Sequence, residues 1–359
     1  MRCVRVGNKD VGGGHSVFLV AEIGINHNGD IELGRRMIEA ASAAGADAVK
    51  FQSFRTEDFV SDRSLTYKYL SQGHEVEESQ YDMFKRNELS LYSLAEYKAH
   101  CDRCNVVFHS APTSEEGVLD LVRLGSLVLK NGSDYLGHLQ LIQCMAKTGL
   151  PTVLSTGMAT MGEVDDAVRA FRGCGGQELI LLHCTSSYPT PAAQVHLRKM
   201  CTLATAFDCP VGLSDHTEGV EAAIGAVALG ACWIEKHFTL DCELPGPDHR
   251  FSADPCEFSR LVKAVRVAER NLGTSVVGPT AVEEAARRDF RLSCVAARDL
   301  GSGHVLTSVD IVFKRPGTGF SPKYADWLIG LSLRKPVRKG DVFLSAHLME
   351  SEIYETKLF

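Results

Sequence analysis

The run Phe18-Leu19-Val20-Ala21-Glu22-Ile23 decides the fold. It is apolar without alternation, whereas a strand with one wet face would alternate apolar and polar residues. A strand of this kind is covered on both faces. A carboxylate inside it is costly unless something nearby compensates its charge. Seven further runs repeat the pattern: Ala48-Val49-Lys50-Phe51-Gln52, Val106-Val107-Phe108-His109, Leu127-Val128-Leu129-Lys130, Thr152-Val153-Leu154-Ser155, Leu179-Ile180-Leu181-Leu182-His183, Val211-Gly212-Leu213-Ser214 and Cys232-Trp233-Ile234-Glu235. Helical patterns fill the gaps, so the fold class is α/β. Eight such repeats match the usual size of a (β/α)8 TIM barrel.

The helices are legible at their ends. Leu33, Met37, Ile38 and Ala41 share a face after Asn28-Gly29-Asp30. Asp254-Pro255-Cys256-Glu257 reads as an N-cap, a proline at the first helical position and a capping-box glutamate. Phe258, Leu261, Val262, Val265 and Leu272 follow at helical spacing, and Gly273 can end the helix. Residues 53–90, rich in Ser, Asp, Glu and Lys, are expected to form an elaborated loop over the barrel mouth. After Gly278-Pro279-Thr280 the texture changes. Residues 1–280 are read as the barrel, 281–290 as a charged linker and 291–359 as a small β-rich domain. That domain has its own apolar residues: Val305, Leu306, Val309, Ile311, Leu328 and Leu331.

The chain has 359 residues, 45% hydrophobic and 23% charged, with a net charge of −7. This excludes disorder, and it removes the electrostatic attraction that a basic surface has for nucleic acid or anionic membrane. The longest apolar stretch, Ala222 to Ile234, is too short to cross a bilayer. The start, Met1-Arg2-Cys3-Val4-Arg5, has no signal-peptide core. The twelve cysteines are scattered. They read as reduced thiols of a cytoplasmic protein, and Cys101-x-x-Cys104 lacks the second pair that a zinc site needs.

In a TIM barrel the site lies at the strand ends. Those ends carry Glu22, Lys50 with Gln52, His109 with Ser110, Lys130 with Ser133, Ser155 with Thr156, His183 with Thr185, Ser214 with His216, and Glu235 with His237. Two lysines and several hydroxyls make a local anion pocket, and Lys130-Asn131-Gly132-Ser133 and Ser155-Thr156-Gly157 suit phosphate. There is no Walker or G-x-G-x-x-G sequence to support a nucleotide. His216 and His237, on adjacent strand ends beside Glu235 and near Asp248, can hold a divalent ion with open positions.

Ala21-Glu22-Ile23-Gly24-Ile25-Asn26-His27-Asn28-Gly29, Val49-Lys50-Phe51-Gln52, Leu154-Ser155-Thr156-Gly157-Met158 and His183-Cys184-Thr185-Ser186-Ser187-Tyr188-Pro189 resemble the sialic acid synthase family. So do Gly212-Leu213-Ser214-Asp215-His216-Thr217, Glu235-Lys236-His237-Phe238-Thr239 and Pro245-Gly246-Pro247-Asp248-His249. Lys314-Arg315-Pro316-Gly317-Thr318-Gly319 resembles the antifreeze-like (SAF) domain attached to these synthases. The resemblance implies condensation of phosphoenolpyruvate with an N-acylated aminohexose to a nine-carbon 2-keto-3-deoxy acid. It implies that Lys50, Lys130, Ser133, Ser155, Ser186 and Ser214 bind phosphoenolpyruvate. It implies a divalent ion, Mn²⁺ with Mg²⁺ or Co²⁺ as alternatives, on His216 and His237. Gln52, Tyr188 and Asp248 would face the sugar, Glu22 would act in catalysis or on a sugar hydroxyl, and Glu235 or Asp248 would assist the water. Arg315 would reach the N-acyl group of the sugar from a partner, in a domain-swapped homodimer.

Three positions depart from the family pattern: Asp134 stands one position before the usual glutamate, Ala111 replaces a common threonine, and Ser186 replaces asparagine. Competing readings are a legionaminic or pseudaminic acid synthase acting on a diacetamido-trideoxyhexose, and a Schiff-base lyase using Lys50 or Lys130. A non-catalytic antifreeze-like protein is a third, and the buried strand lysines argue against it.

Overall fold

The computed structural model describes residues 2–349. The chain divides into two compact units, residues 1–273 and 274–359, which groups Thr274 to Thr280 with the second.

The first unit is a (β/α)8 barrel. Its parallel strands are β1 (Phe18–Gly24), β2 (Ala48–Ser53), β3 (Val107–Pro112), β4 (Leu129–Asn131), β5 (Thr152–Ser155), β6 (Leu179–Cys184), β7 (Val211–Asp215) and β8 (Trp233–His237). Their ladder order is β3-β2-β1-β8-β7-β6-β5-β4, and β3 packs against β4 to close the ring. The helices are α1 (Ile31–Ala44), α2 (Leu91–Arg103), α3 (Glu115–Arg123), α4 (Leu139–Lys147), α5 (Met161–Gly173), α6 (Lys199–Phe207), α7 (Glu221–Ala228) and α8 (Pro255–Leu272). Asp30 caps α1 by accepting the Glu32 and Leu33 amides, and Gly45 ends it in the left-handed region that glycine tolerates. Asp254 caps α8 through the Glu257 amide, with Pro255 in the first turn. Glu257 does not close the expected capping box. Its carboxylate accepts the Gly219 amide instead and ties α8 to the loop after β7.

Alternation along each strand sorts the side chains between two cores. One core faces the helices and is built on residues such as Leu19, Ala21, Phe51, Leu154 and Ile234. The other fills the barrel with Phe18, Val20, Ala48, Val128, Val153, Ile180, Leu182 and Trp233. Phe18 and Trp233 stack at 4.6 Å between centroids. An N-terminal hairpin, Cys3–Val6 with Lys9–Gly12, adds Val4, Val6 and Val11 to this interior. Each large apolar side chain so buried contributes about 1.5–3 kcal/mol.

Residues 53–90 are more ordered than the expected loop. They form a short helix (Thr56–Phe59), a hairpin (Thr66–Ser71 with His74–Ser79) and a helix (Gln80–Asn87). The second unit pairs Ser293–Ala296 with Ile311–Lys314, and isolated bridges such as Leu300 to Val337 add to it. Leu306, Leu328 and Leu331 are buried there as expected, with Cys294, Leu333, Val337 and Phe343. Val305 and Val309 are 51% and 73% exposed, so they are not core residues. No helix of the described residues is long and apolar enough to cross a membrane.

Candidate active site

The C-terminal ends of the strands surround a cavity of about 510 Å³. It is lined by Glu22, Lys50, Gln52, Lys130, Ser133, Ser155, Ser186, Tyr188, Ser214, His216, Glu235 and His237, twelve of the fourteen residues to which the family resemblance gives a role. The strand-end residues His109, Ser110, Thr156 and Thr185 do not line it. Asp248 stands just behind, with Oδ2 3.7 Å from His237 Nδ1. Arg315 lies in the second unit, exposed, with its guanidinium over the Phe290 ring.

The floor of the cavity is a buried charge network. Lys50 Nζ is 2.8 Å from Glu22 Oε2 and 3.6 Å from Glu235 Oε1. Lys130 Nζ is also 3.6 Å from Glu235 Oε1, and it donates to Ser155 Oγ at 2.7 Å. Ser214 donates to Glu235 at 3.2 Å, and Gln52 to Glu22 at 3.3 Å. The two lysines of the expected anion pocket are thus balanced by the two strand-end carboxylates. Burial raises the Glu22 pKa to about 7 against the pull of Lys50. Burial also acts to raise that of Glu235, but Lys130 and Lys50 outweigh it and hold the carboxyl at about 2. Two carboxylates pushed apart in this way suit opposite proton-transfer roles, an acid and a base.

The hydroxyls cluster on one wall. Ser133 Oγ accepts the Gly157 amide at 3.0 Å, and an added Cβ at Gly157 would meet both Ser133 Oγ (2.7 Å) and Ser186 Oγ (2.5 Å). Only glycine lets these two loops approach so closely. Asp134 and Ala111 also line the cavity. His183 does not reach it: the ring bonds the Val195 carbonyl, so this strand-end histidine is structural. The outer wall is apolar in a way the sequence reading missed. Phe54, Phe59 and Phe84 pack edge-on at 4.9–5.5 Å, joined by Tyr67, Tyr135 and Met158. The hairpin that brings Tyr67 was legible in the alternation of Tyr67 and Tyr69 with Lys68 and in the Gln72-Gly73 turn.

His216 and His237 face each other with centroids 5.4 Å apart. His216 Nδ1 donates to the Thr185 carbonyl at 2.9 Å, which leaves the Nε2 lone pair free for a ligand. His237 Nδ1 is buried without a hydrogen-bond partner, and burial beside His216 holds its pKa well below the usual value. Burial raises the Asp248 pKa to about 6. Among the described residues no group of three or more His, Cys, Asp or Glu is placed to cage an ion. Burial acts to lower the His216 pKa, but the Cys184 thiol and the Thr185 carbonyl outweigh it and raise it, so only His237 is held neutral by the protein alone. The two facing rings and the nearby carboxylate would suit a divalent ion that displaces the His216 proton and takes its remaining ligands from water or substrate.

Comparisons with known proteins place the chain in a family. The family model for the NeuB family matches residues 37–277, and that for the SAF domain matches residues 293–349. The N,N'-diacetyllegionaminic acid synthase of Campylobacter jejuni subsp. jejuni serotype O:2 is 38% identical, over 90% of this chain and 98% of its own. That of Legionella pneumophila subsp. pneumophila is also 38% identical, over 95% of this chain and 97% of its own. The solved structure of the N-acetylneuraminic acid (sialic acid) synthetase from Leptospira borgpetersenii serovar Hardjo-bovis is 32% identical with a TM-score of 0.72, covering 79% of this chain and 95% of its own. Barrel, site and relatives together define an enzyme, a synthase of the sialic-acid type. The chain belongs to the NeuB family and carries a SAF domain at its C-terminal end.

Proposed function

We propose that the enzyme condenses phosphoenolpyruvate with the open-chain aldehyde of an N-acylated aminohexose, giving a nine-carbon 2-keto-3-deoxy acid and phosphate. The observation that carries this reading is the convergence of Lys50, Lys130 and four serine hydroxyls on one cavity beside Glu22, Glu235 and two facing imidazoles. Lys50 and Lys130 hold the carboxylate and phosphate of phosphoenolpyruvate, and Ser133, Ser155, Ser186 and Ser214 orient them. Carbon 3 attacks the aldehyde carbon, and Glu22 delivers a proton to the oxygen that becomes a hydroxyl. The positive charge left on carbon 2 lies among the carboxylates. Water adds there and gives its proton to Glu235 or Asp248. The carbon–oxygen bond to phosphate then breaks as the new hydroxyl gives its proton to the departing phosphate, and the 2-keto group forms. Gln52, Tyr188 and Asp248 hold the sugar. Mn²⁺, or Mg²⁺ or Co²⁺, on His216 and His237 would polarise the aldehyde and orient it. Complete chelation is expected to abolish turnover, and normal turnover after chelation would remove the ion from the reaction.

A diacetamido-trideoxyhexose is the second reading, and the aromatic outer wall favours it. Phe54, Phe59 and Phe84 offer apolar surface to a methyl and a second acetamido group, where a hydroxylated sugar tail would leave polar groups unmatched. The 38% identity to two diacetyllegionaminic acid synthases points the same way. Phosphate release from phosphoenolpyruvate against N-acetylmannosamine and diacetamido sugars decides between them, and release with none of them overturns the assignment. A domain-swapped homodimer in which Arg315 of a partner contacts the N-acyl group belongs to the same proposal. Arg315→Ala should then raise KM for the sugar and leave KM for phosphoenolpyruvate unchanged. A cytoplasmic setting fits the twelve free thiols.

A further inference from the structure

Below the cavity lies a histidine that the reaction above does not use. His109 is opposite Lys50 in the ladder between β2 and β3, so both side chains point into the barrel. It is fully buried and does not line the cavity. Its ring meets Trp233 edge-on, with centroids 5.7 Å apart and planes at 90°. Trp233 precedes Glu235 by two residues on β8 and so shares its face of the strand. Burial holds the imidazole neutral, and Glu235, Lys50 and Lys130 are the charges that act on it.

A neutral imidazole offers one N–H and one lone pair. Among the described residues neither ring nitrogen of His109 has a hydrogen-bond partner, and nor do Trp233 Nε1 and Glu235 Oε2. Each such buried atom costs about 1–3 kcal/mol if left unmatched. Apolar side chains such as Phe18, Val20, Val153, Ile180 and Leu182 fill the rest of this interior, so an apolar side chain at 109 would avoid the cost. The unmatched groups are complementary: the imidazole and indole N–H groups donate, and the carboxylate oxygen accepts. One internal water, which takes two to four polar partners, would join them.

We propose that His109 is a positioning residue: with Trp233 it holds a buried water that donates to Glu235 Oε2 and so fixes this carboxylate for work on the reacting water above. This rests on the role given to Glu235. His109→Leu conserves volume and removes both polar atoms, whereas His109→Gln keeps a donor and an acceptor. The expected result for His109→Leu is a fall in kcat of roughly 10- to 100-fold, as for other supporting groups one shell from the chemistry. KM for phosphoenolpyruvate and the thermal midpoint should hold or improve, and His109→Gln should recover most of the rate. A crystal structure of the full chain should show a water within hydrogen-bond distance of His109 and Glu235 Oε2. Unchanged kcat in His109→Leu, a loss of rate and stability together that His109→Gln does not rescue, or a dry floor would each overturn the proposal. Glu235→Gln is the control. If that variant is fully active, the reading of the site fails. If it is inactive while His109→Leu is normal, only the role of His109 fails.

Discussion

The two units bury charge in opposite ways. In the second unit Asp310 is fully buried and saturated: it accepts from Arg298, from His304, and from both the amide and the hydroxyl of Thr307. At the barrel mouth the buried carboxylates are under-paired. The ammonium contacts of Glu235 are 3.6 Å long, and its Oε2 has no hydrogen bond. A saturated buried charge has nothing left to offer a ligand and serves the fold. An under-paired one keeps its capacity for a substrate, at a cost in stability. The difference separates structural from functional charge without reference to where the residues sit.

The largest test of this contrast is Lys130→Met. In the proposed reaction it removes an ammonium that would hold the substrate, and whose contacts in the protein are one hydroxyl at 2.7 Å, a carbonyl at 3.4 Å and a carboxylate oxygen only at 3.6 Å. The fall in kcat/KM should be on the order of 100- to 1000-fold, by the measure of single electrostatic contacts to a reacting group. The thermal midpoint of the barrel should not drop. Phosphate release and calorimetry on the same preparation check both halves, and a fall in stability that accounts for the lost activity would break the comparison.

The barrel also contains a saturated pair, which sharpens the rule within one unit. Lys236 Nζ lies 3.1 Å from Asp215 Oδ2, and Asp215 Oδ1 accepts the Thr217 amide at 2.9 Å and its hydroxyl at 2.7 Å. Both partners are buried. Lys236→Met should cost about 3–5 kcal/mol, the range for stripping one partner from a buried pair. Denaturant unfolding measures it, and a cost below about 1 kcal/mol would show that saturation does not mark structural charge.

How much of this was legible in the sequence follows from the same physics. The eight strands could be read because a doubly covered strand is apolar throughout, so Glu22, Lys50, Lys130 and Glu235 stand out as exceptions. Periodicity placed α1 and α8, whose caps are local. The helices and hairpin of residues 53–90 are hidden because their composition is that of a loop, although Tyr67, Lys68 and Tyr69 alternate. The phenylalanine wall was lost because Phe54, Phe59 and Phe84 meet only after residues 53–90 fold. The balance of two lysines by two glutamates could not be read at all, since it depends on side-chain distance across the barrel. Val305 and Val309 misled because a small β-rich domain has too little interior to cover every valine.

The smaller tests lie in the second unit. Asp310→Asn should lower its stability by about 1–3 kcal/mol at neutral pH. Burial opposes ionisation of Asp310, but His304, Thr307 and Arg298 outweigh it and hold the carboxyl far below the usual range. A carboxyl with a depressed folded-state pKa stabilises above its unfolded value, about 3.9, and loses that contribution as pH falls through the folded one. The gap between wild type and Asp310→Asn should therefore be full at pH 7 and shrink below about pH 4. A gap independent of pH would mean that the geometry of the turn, not the charge, carries the effect. Val309→Ser completes the series. Val309 is 73% exposed in the middle of the short 3-10 turn Ser308–Asp310, so the change removes little buried apolar surface and should stay within about 0.5 kcal/mol. A larger loss would place Val309 against a surface that the isolated unit does not contain.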